Sequence, residues 1–220
     1  FNTCGIKKDN TDWYIKSIES ILSQDFTGQR IVLSSCMNSM ESFRQVYSYF
    51  KDRISYCYYG DPYTVNITFN KTVQESVKRF GEFEGYLYID SGIMFNNENV
   101  ITNAYNLFKE GPYAFVTIQT DTDTGFDQIG LKNNSDKVQI TDDHFVIPVG
   151  KACNLHSQIF SNEALKAYQN KLFPDVFRAY CSESTFSFLC AALKKKWVIL
   201  KDDMLHHRKG VDGASVGVPH

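Results

Sequence analysis

Hydrophobic residues are spaced in two ways along the chain, and the two spacings predict alternating helices and strands. Residues 13–24 (WYIKSIESILSQ) place apolar side chains three and four positions apart, whereas residues 29–36 (QRIVLSSC) form an apolar run that ends in small polar residues. The same pair of patterns recurs as helix 38–50 with strand 53–59, and as helix 69–80 with strand 85–90. Strands that alternate with helices at this interval predict a mostly parallel sheet with helices on both faces.

The remaining segments predict less regular structure. The short apolar segment 1–5 (FNTCG) predicts a first strand. The second half of the chain predicts, in order, a helix at about 97–109, strands at 113–119 and 144–150, helices at 161–173 and 182–196, and a strand at 197–203. The polar stretch 120–143 predicts a loop or a small antiparallel excursion, and the glycine-rich tail 204–220 predicts irregular structure.

Length, charge and cysteine usage narrow the class of protein. A chain of 220 residues with 43% hydrophobic residues is long enough for one substantial core. The net charge is −2 and the longest basic run is Lys194–Lys196, so we expect no nucleic-acid partner. No apolar run reaches the ~20 residues of a membrane span. Six cysteines without metal or disulfide spacing, and three N-x-S/T triplets without a signal peptide, predict free thiols and a cytoplasmic protein.

Asp90 is the first candidate for chemistry. The segment 86–92 (YLYIDSG) predicts a buried strand that stops at this carboxylate. In open parallel sheets, ligands bind outside the carboxyl ends of the strands, where the loops after strands 1–5 and 29–36 should also lie. Asp90 therefore has a place at a ligand-binding edge. The alternative is a structural Asp that caps a turn with Ser91 and Gly92.

Three segments resemble a known family in the order in which they occur. Residues 2–36 resemble the opening of family-2-type glycosyltransferases of the GT-A fold, in which a strand and loop lead into a Y-I-x-x-S-I-x-S-I-L-x-Q helix. Residues 64–93 are similar to the family's helix and D-x-D-bearing strand, and residues 182–209 resemble its end, with an x-E-D-type motif, a strand and a His. More loosely, the chain resembles glycosyltransferase domains of large algal viruses.

The resemblance implies an α/β protein of the Rossmann-like GT-A fold, with a mostly parallel sheet flanked by helices, a small antiparallel excursion and an irregular C-terminal tail. It implies one domain over 1–220, with a nucleotide-sugar-binding half at 1–110, and an acceptor-binding half with a C-terminal lid at 111–220. Because the chain opens at Phe1 rather than Met, we expect it to be part of a longer polypeptide.

The resemblance also implies a divalent metal, Mn²⁺ or Mg²⁺, that acts as a Lewis acid on the leaving diphosphate. Asp90 would be its carboxylate ligand, and His206 or His207 would complete the set. The D-x-D pattern is incomplete in either register, since Asp90-Ser91-Gly92 lacks the second Asp and Tyr88-Ile89-Asp90 lacks the first. A solvated tail is the alternative for the two histidines.

Glu183 falls where the family's x-E-D motif provides a catalytic base. An inverting transferase needs such a base to take the proton of the acceptor hydroxyl. Ser184 replaces the Asp of the motif. The alternative for Glu183 is a surface carboxylate that stabilises a helix N-terminus, worth only about 0.3–1 kcal/mol.

Contacts to the nucleotide are implied for three regions of the chain. They are the loop after the first strand, the segment from 61 to 70 and the loop beyond Asp90, with a cationic tail that would cover the diphosphate. The residues are Thr3, Cys4, Gly5, Asp61, Asn70, Ser91 and Arg208.

These features predict an enzyme, a glycosyltransferase of hexosyltransferase type that moves a sugar from a UDP-, GDP- or dTDP-sugar to a hydroxyl of a glycan acceptor, with inversion, in polysaccharide biosynthesis. A nucleotidyltransferase uses a similar sheet but needs a glycine-rich phosphate loop, and residues 4–10 (CGIKKDN) contain one glycine. A non-enzymatic alternative is a catalytically degenerate GT-A-like domain that binds a glycan or a protein, which the incomplete motifs would fit.

Overall fold

The structure is a computed structural model, and it describes residues 11–29, 32–35, 40–59, 65–90, 93–120, 139–151, 157–171, 173 and 185–207. The helices are α1 (Thr11–Leu22), α2 (Met40–Phe50), α3 (Val65–Phe80), α4 (Val100–Glu110), α5 (Asn162–Ala167) and α6 (Phe186–Ala192). The strands are β1 (Val32–Ser35), β2 (Tyr56–Tyr59), β3 (Gly85–Ile89), β4 (Ile93–Phe95), β5 (Tyr113–Thr120), β6 (Gln139–Ile140), β7 (His144–Val146), β8 (Ser157–Ser161) and β9 (Lys196–His207). None of the described helices is both long enough and apolar enough to cross a membrane.

Seven of the described strands form the main sheet, in the order β3-β8-β5-β9-β7-β6, with β4 paired to the far end of β9. Strands β1 and β2 form a separate parallel pair. The sheet is therefore built mainly from the second half of the chain, with β3 and β4 contributed by the first half. This arrangement confirms an α/β fold with helices packed on a central sheet.

The prediction of a mostly parallel sheet was wrong, because most of the described pairings are antiparallel. Only β1–β2 and β5–β9 run parallel. Two of the five antiparallel pairings involve β8, residues 157–161 (SQIFS), which the sequence pattern did not identify as a strand, and the other three involve β4, β6 and β7. Strand β8 lies between β3 and β5 and runs antiparallel to both, so these two strands point the same way without touching.

Each face of the sheet carries its own apolar core. On one face, Phe115, Phe160 and Trp197 pack against Phe186 of α6, with ring centroids 4.8–5.9 Å apart. We call this the aromatic face. On the other, aliphatic face, Val116 and its neighbours pack against α4. Burial of this kind contributes about 25 cal/mol per Å² of apolar surface and is the main source of stability.

Helix α1 is attached to the sheet by hydroxyl groups as well as by apolar contacts. Tyr14 and Ile18 lie four positions apart and pack against α2. On the side toward the sheet, the Ser17 hydroxyl donates to the carbonyl of Ile93, and the Ser20 hydroxyl accepts from the amide of Phe95 at 3.0 Å. These bonds fix β4 against α1 and so hold the segment that follows Asp90.

Two predicted boundaries were wrong at the C-terminal end. The helix expected at 182–196 begins at Phe186 with Thr185 as its N-cap, and the chain turns at Lys194, which has a positive φ of 55°. The tail expected to be irregular from 204 continues β9 as far as His207. Residues 204–207 are in a strand because they pair with β4 and β5. The predicted excursion is confirmed where it is described, as the antiparallel pair β6–β7.

Cys190 bears out the prediction of free buried thiols for the one cysteine whose side chain is described. It is 3% exposed, and burial raises the pKa of its thiol to about 12. At neutral pH the thiol is therefore protonated and unreactive.

Candidate functional site

Asp90 lies directly after β3, at the end of the strand where the sequence placed it. Its carboxylate accepts a hydrogen bond from the hydroxyl of Tyr88 at 3.3 Å, and its carbonyl accepts from the amide of Ile93 at 3.3 Å. The carboxylate is therefore held by a side chain of its own strand, on the aromatic face where Tyr88 packs against Phe69 and Phe173. It is half-buried, which leaves part of it accessible to a ligand.

The pairing of β4 with β9 brings the His206-His207 backbone close to Asp90. Ile93 is the cross-strand partner of His207 and Met94 is the partner of His206. Since Ile93 is three residues beyond Asp90 and bonded to its carbonyl, the two predicted metal-binding segments meet at one edge of the sheet. The sequence proposed this set of residues, and the register brings their backbones together.

A wide bulge in β9 makes this meeting possible. Ile118 pairs with Leu200, but the next residue of β5, Gln119, pairs with Met204. Three residues of β9 are thus inserted opposite one step of β5, and bulges of this kind bend a strand and are common beside active sites. The first inserted residue, Lys201, is fixed by its ammonium group, which donates to the carbonyls of Thr141 and Asp142 at 2.9 and 3.1 Å.

The available donor atoms fit a divalent metal ion. The Asp90 carboxylate provides the oxygen ligand that Mn²⁺ and Mg²⁺ prefer, and imidazole is a ligand of transition metals, so a set that joins the two favours Mn²⁺. In the described part of the chain, which excludes the side chains of 202–207, no three His, Cys, Asp or Glu groups gather as a complete ligand set. The phosphates of a bound nucleotide would have to supply the remaining oxygens.

Asn70 is buried in α3, where it bonds to the backbone of a distant segment. Its Nδ2 donates to the carbonyl of Phe173 at 2.8 Å, and its Oδ1 accepts from the amide of the same residue at 3.0 Å. The side chain is 4% exposed. This pair of hydrogen bonds to the backbone of one residue gives Asn70 a structural function. Its predicted contact with a nucleotide stays a prediction.

Several predicted site residues lie outside the described residues, and their functions stay predictions. They are Thr3, Cys4, Gly5, Asp61, Ser91, Glu183 and Arg208.

A buried polar chain on the aromatic face was missed by the sequence reading. Trp197 Nε1 donates to the hydroxyl of Thr117, and that hydroxyl donates to Oε1 of Gln158, each at 2.8 Å. Gln158 and Ser157 are fully buried, and both lie on β8. The sequence contained one sign of it, because Thr117 is a polar residue inside an apolar strand. Its hydrogen-bond partner, Gln158, could not be identified because β8 was not predicted.

A cavity of about 450 Å³ borders β3 on the edge away from β8. Its walls are mostly apolar and include all five residues of β3 and Val32 of β1. At its rim, Glu84 accepts from the hydroxyl of Tyr105 and from the ammonium group of Lys109, and these two bonds lower the pKa of Glu84. Tyr88 and Ile89 line the cavity, but Asp90 does not. The cavity therefore lies along the edge of β3 and is separate from the candidate metal site at the end of this strand.

Comparison with known proteins gives matches to solved structures alone, since no family model and no curated protein matches the chain. S. aureus TarS 1-349 in complex with UDP-GlcNAc superposes on 95% of this chain with a TM-score of 0.66 at 16% identity. The mannosyltransferase PcManGT from Pyrobaculum calidifontis, in complex with GDP-Man and Mn²⁺, superposes on 96% with a TM-score of 0.66 at 10% identity. The chain spans 59% and 58% of those two chains.

At such identities the likeness establishes the fold. The chain has the GT-A-like α/β fold of these nucleotide-sugar glycosyltransferases, as the sequence resemblance implied. The substrates named for the two relatives belong to those proteins. What this chain does must be argued from its own residues.

Proposed function

We propose that the chain transfers a sugar from a nucleoside diphosphate sugar to a hydroxyl of a glycan acceptor, with the help of a divalent metal and with inversion. The observation that carries the proposal is the position of Asp90 at the end of β3, beside the β4–β9 pair that contains His206 and His207. Its fold is that of structures bound to UDP-GlcNAc and to GDP-Man with Mn²⁺. We expect the protein to act in the cytoplasm, without nucleic-acid partners.

The chemistry divides among few groups of this chain. Asp90 and one histidine of the 206–207 pair would hold Mn²⁺, which when bound supplies positive charge to the leaving diphosphate. The Tyr88 hydroxyl holds the Asp90 carboxylate in place. Glu183 would take the proton of the acceptor hydroxyl as its oxygen attacks the anomeric carbon, and Arg208 would neutralise phosphate charge. Thr3, Cys4, Gly5, Asp61 and Ser91 would contact the nucleotide.

Thermal melting against UDP, GDP, dTDP and CMP, each with Mn²⁺ and with EDTA, tests this proposal. A nucleotide at 100 times its Kd should add about 2.7 kcal/mol to the free energy of unfolding, several degrees for a domain of this size. Stabilisation by one nucleotide in Mn²⁺ alone would identify the donor class. Stabilisation that survives EDTA would remove the metal from the proposal, and no response to any nucleotide would contradict it.

A second candidate function is binding without catalysis. It is favoured by the incomplete D-x-D sequence around Asp90. Such a domain would hold a glycan or a protein on the same face. Hydrolysis of a nucleotide sugar to nucleoside diphosphate, measured without an acceptor, separates the two functions, because a binding domain releases none.

A further inference from the structure

Three side chains from neighbouring strands form a hydrogen-bonded chain with a fixed direction. Trp197 of β9 donates to Thr117 of β5, and Thr117 donates to Gln158 of β8. All three residues are at most 1% exposed. The indole N–H can only donate, so the Thr117 oxygen accepts from it and gives its own proton to the Gln158 carbonyl oxygen.

In this arrangement the two ends of the Gln158 amide are used differently. Oε1 accepts from Thr117, and the NH₂ group occupies the other branch. Nε2 of Gln158 has no hydrogen-bond partner among the described residues, although it is buried. An unpaired buried donor lowers stability, and native proteins rarely keep one without a reason. Nε2 is therefore oriented for an acceptor atom that these residues do not supply.

The unpaired amide lies on the same face of the sheet as Asp90. Gln158 is the cross-strand partner of Tyr88, and the Tyr88 hydroxyl donates to the Asp90 carboxylate. Cross-strand partners project from the same face of a sheet, and alternation places Gln119 on that face too, two residues beyond Thr117. Thr117, Gln158 and Tyr88 thus form a row of polar side chains across β5, β8 and β3 that leads toward Asp90. The Nε2 group of Gln158 is the donor in this row that has no partner among the described residues.

We propose that Gln158 Nε2 donates a hydrogen bond to a hydroxyl oxygen of the transferred sugar and holds that sugar beside Asp90. The inference rests on the proposed function, in which Asp90 binds the metal and diphosphate to which the sugar is attached. A buried amide carries no charge, so it suits a neutral hydroxyl better than a phosphate. A site built to bond one hydroxyl also rejects sugars that lack it, which makes Gln158 a specificity-determining residue.

The test compares the same substitution at two buried glutamines. Gln158→Met removes the unpaired donor. Gln24→Met is the matched control, because Gln24 is 7% exposed but uses both ends of its amide, with Nε2 donating to Asn97 and Oε1 accepting from Ile101. The probes are UDP-glucose, UDP-galactose, UDP-GlcNAc and GDP-mannose, each against UDP or GDP alone, in Mn²⁺. Calorimetry gives the affinity ratio of nucleotide sugar to nucleoside diphosphate.

For Gln158→Met we expect this ratio to fall about tenfold, the size of one lost hydrogen bond, while affinity for the nucleoside diphosphate stays within about twofold. Gln24→Met should leave the ratio unchanged. If Gln158→Met also leaves it unchanged, the inference is overturned while the proposed function stands. If the unsubstituted protein binds neither nucleotide sugars nor nucleoside diphosphates, both are overturned.

A second measurement covers the case in which Gln158→Met does not fold. On the unsubstituted protein, the deoxy analogue that lacks the bonded hydroxyl should bind about tenfold more weakly than its parent nucleotide sugar, and equal affinities for all deoxy analogues overturn the inference. Where Gln158→Met folds, that same analogue identifies the hydroxyl, because it binds the unsubstituted protein and the variant with the same affinity.

Discussion

His206 is the cross-strand partner of Met94, four residues beyond Asp90. The neighbours of Met94 on β4, Ile93 and Phe95, are buried in the aliphatic core at 0% and 7% exposure, whereas Met94 is half-buried. The backbone register therefore pairs His206 with a half-buried residue and His207 with a fully buried one. The sequence alone gives no such difference between the two histidines.

The first prediction concerns this pair. We expect His206→Ala to raise the Mn²⁺ concentration needed for nucleotide binding by about tenfold, as loss of one metal ligand should, and His207→Ala to have a smaller effect. Melting temperature in UDP or GDP as a function of Mn²⁺ measures the requirement. The reverse order of the two variants would make His207, rather than His206, the metal ligand.

Asp90→Asn should abolish sugar transfer and leave the fold intact. The amide keeps the shape of the carboxylate and can still accept from Tyr88, but it has no charge for a metal ion. Transfer is measured with a radiolabelled nucleotide sugar, and folding by the thermal transition. Transfer at the rate of the unsubstituted protein would mean that the metal lies elsewhere.

Glu183→Gln should lower kcat by about 10²–10⁴-fold, the usual contribution of a general base, with donor affinity retained. A surface glutamate at a helix start would give a different result, because its loss would lower stability by less than about 1 kcal/mol and leave kcat unchanged. Steady-state rates with calorimetric donor affinities distinguish the two functions.

Asn70→Leu should reduce the free energy of unfolding by about 3 kcal/mol, because it leaves the buried amide and carbonyl of Phe173 unpaired. Asn106→Leu on the exposed side of α4 is the control, and it should change stability by less than about 0.5 kcal/mol. Urea unfolding measures both variants. If nucleotide affinity falls in Asn70→Leu at temperatures where it is fully folded, Asn70 also contacts the donor.

The fifth prediction concerns pH. The Thr141 hydroxyl, and after it the imidazole of His144, hold the pKa of Asp143 below its usual value. A carboxylate with a lowered folded pKa adds stability above its unfolded pKa of about 3.9, and this stability is lost as pH falls through the folded value. Asp143→Asn should therefore cost stability at pH 7, by less than about 1 kcal/mol since the side chain is 56% exposed, and progressively less below pH 4.

Asp142→Asn is the control for this measurement. Lys201 bonds to the backbone carbonyl of Asp142, which the substitution keeps. Unfolding free energies between about pH 3 and 7 give the comparison. A stability difference for Asp143→Asn that does not depend on pH would remove the charge from the explanation.

The sequence predicted elements that carry a strong local signal. The helix at 13–24 and the strand that ends at Asp90 were recognisable because apolar spacing and a polar stop occur within a few residues. β8 was missed because five buried residues (SQIFS) contain three polar side chains and no periodic signal, and their burial comes from strands far away in sequence. The unpaired amide of Gln158 was invisible for the same reason, since it requires the register of β8 against β3 and β5.

The site divides in the same way. Asp90 and the histidine pair could be named from their order and chemistry, but the different backbone partners of His206 and His207 are known only from the pairing of β4 with β9. Asn70 shows the opposite case, because a polar residue in a predicted binding region bonds to the backbone of Phe173, more than a hundred positions away.

The pairing of β4 with β9 also has a consequence for synthesis on the ribosome. Ile93 and its partner His207 are separated by 114 positions, so β4 leaves the ribosome long before the strand that covers it exists. At about 5–20 residues per second, the interval is on the order of ten seconds. During that time α1 is already available to β4, but the backbone of Ile93 and Phe95 lacks its partner strand, and an unpaired strand edge of this kind is prone to aggregation.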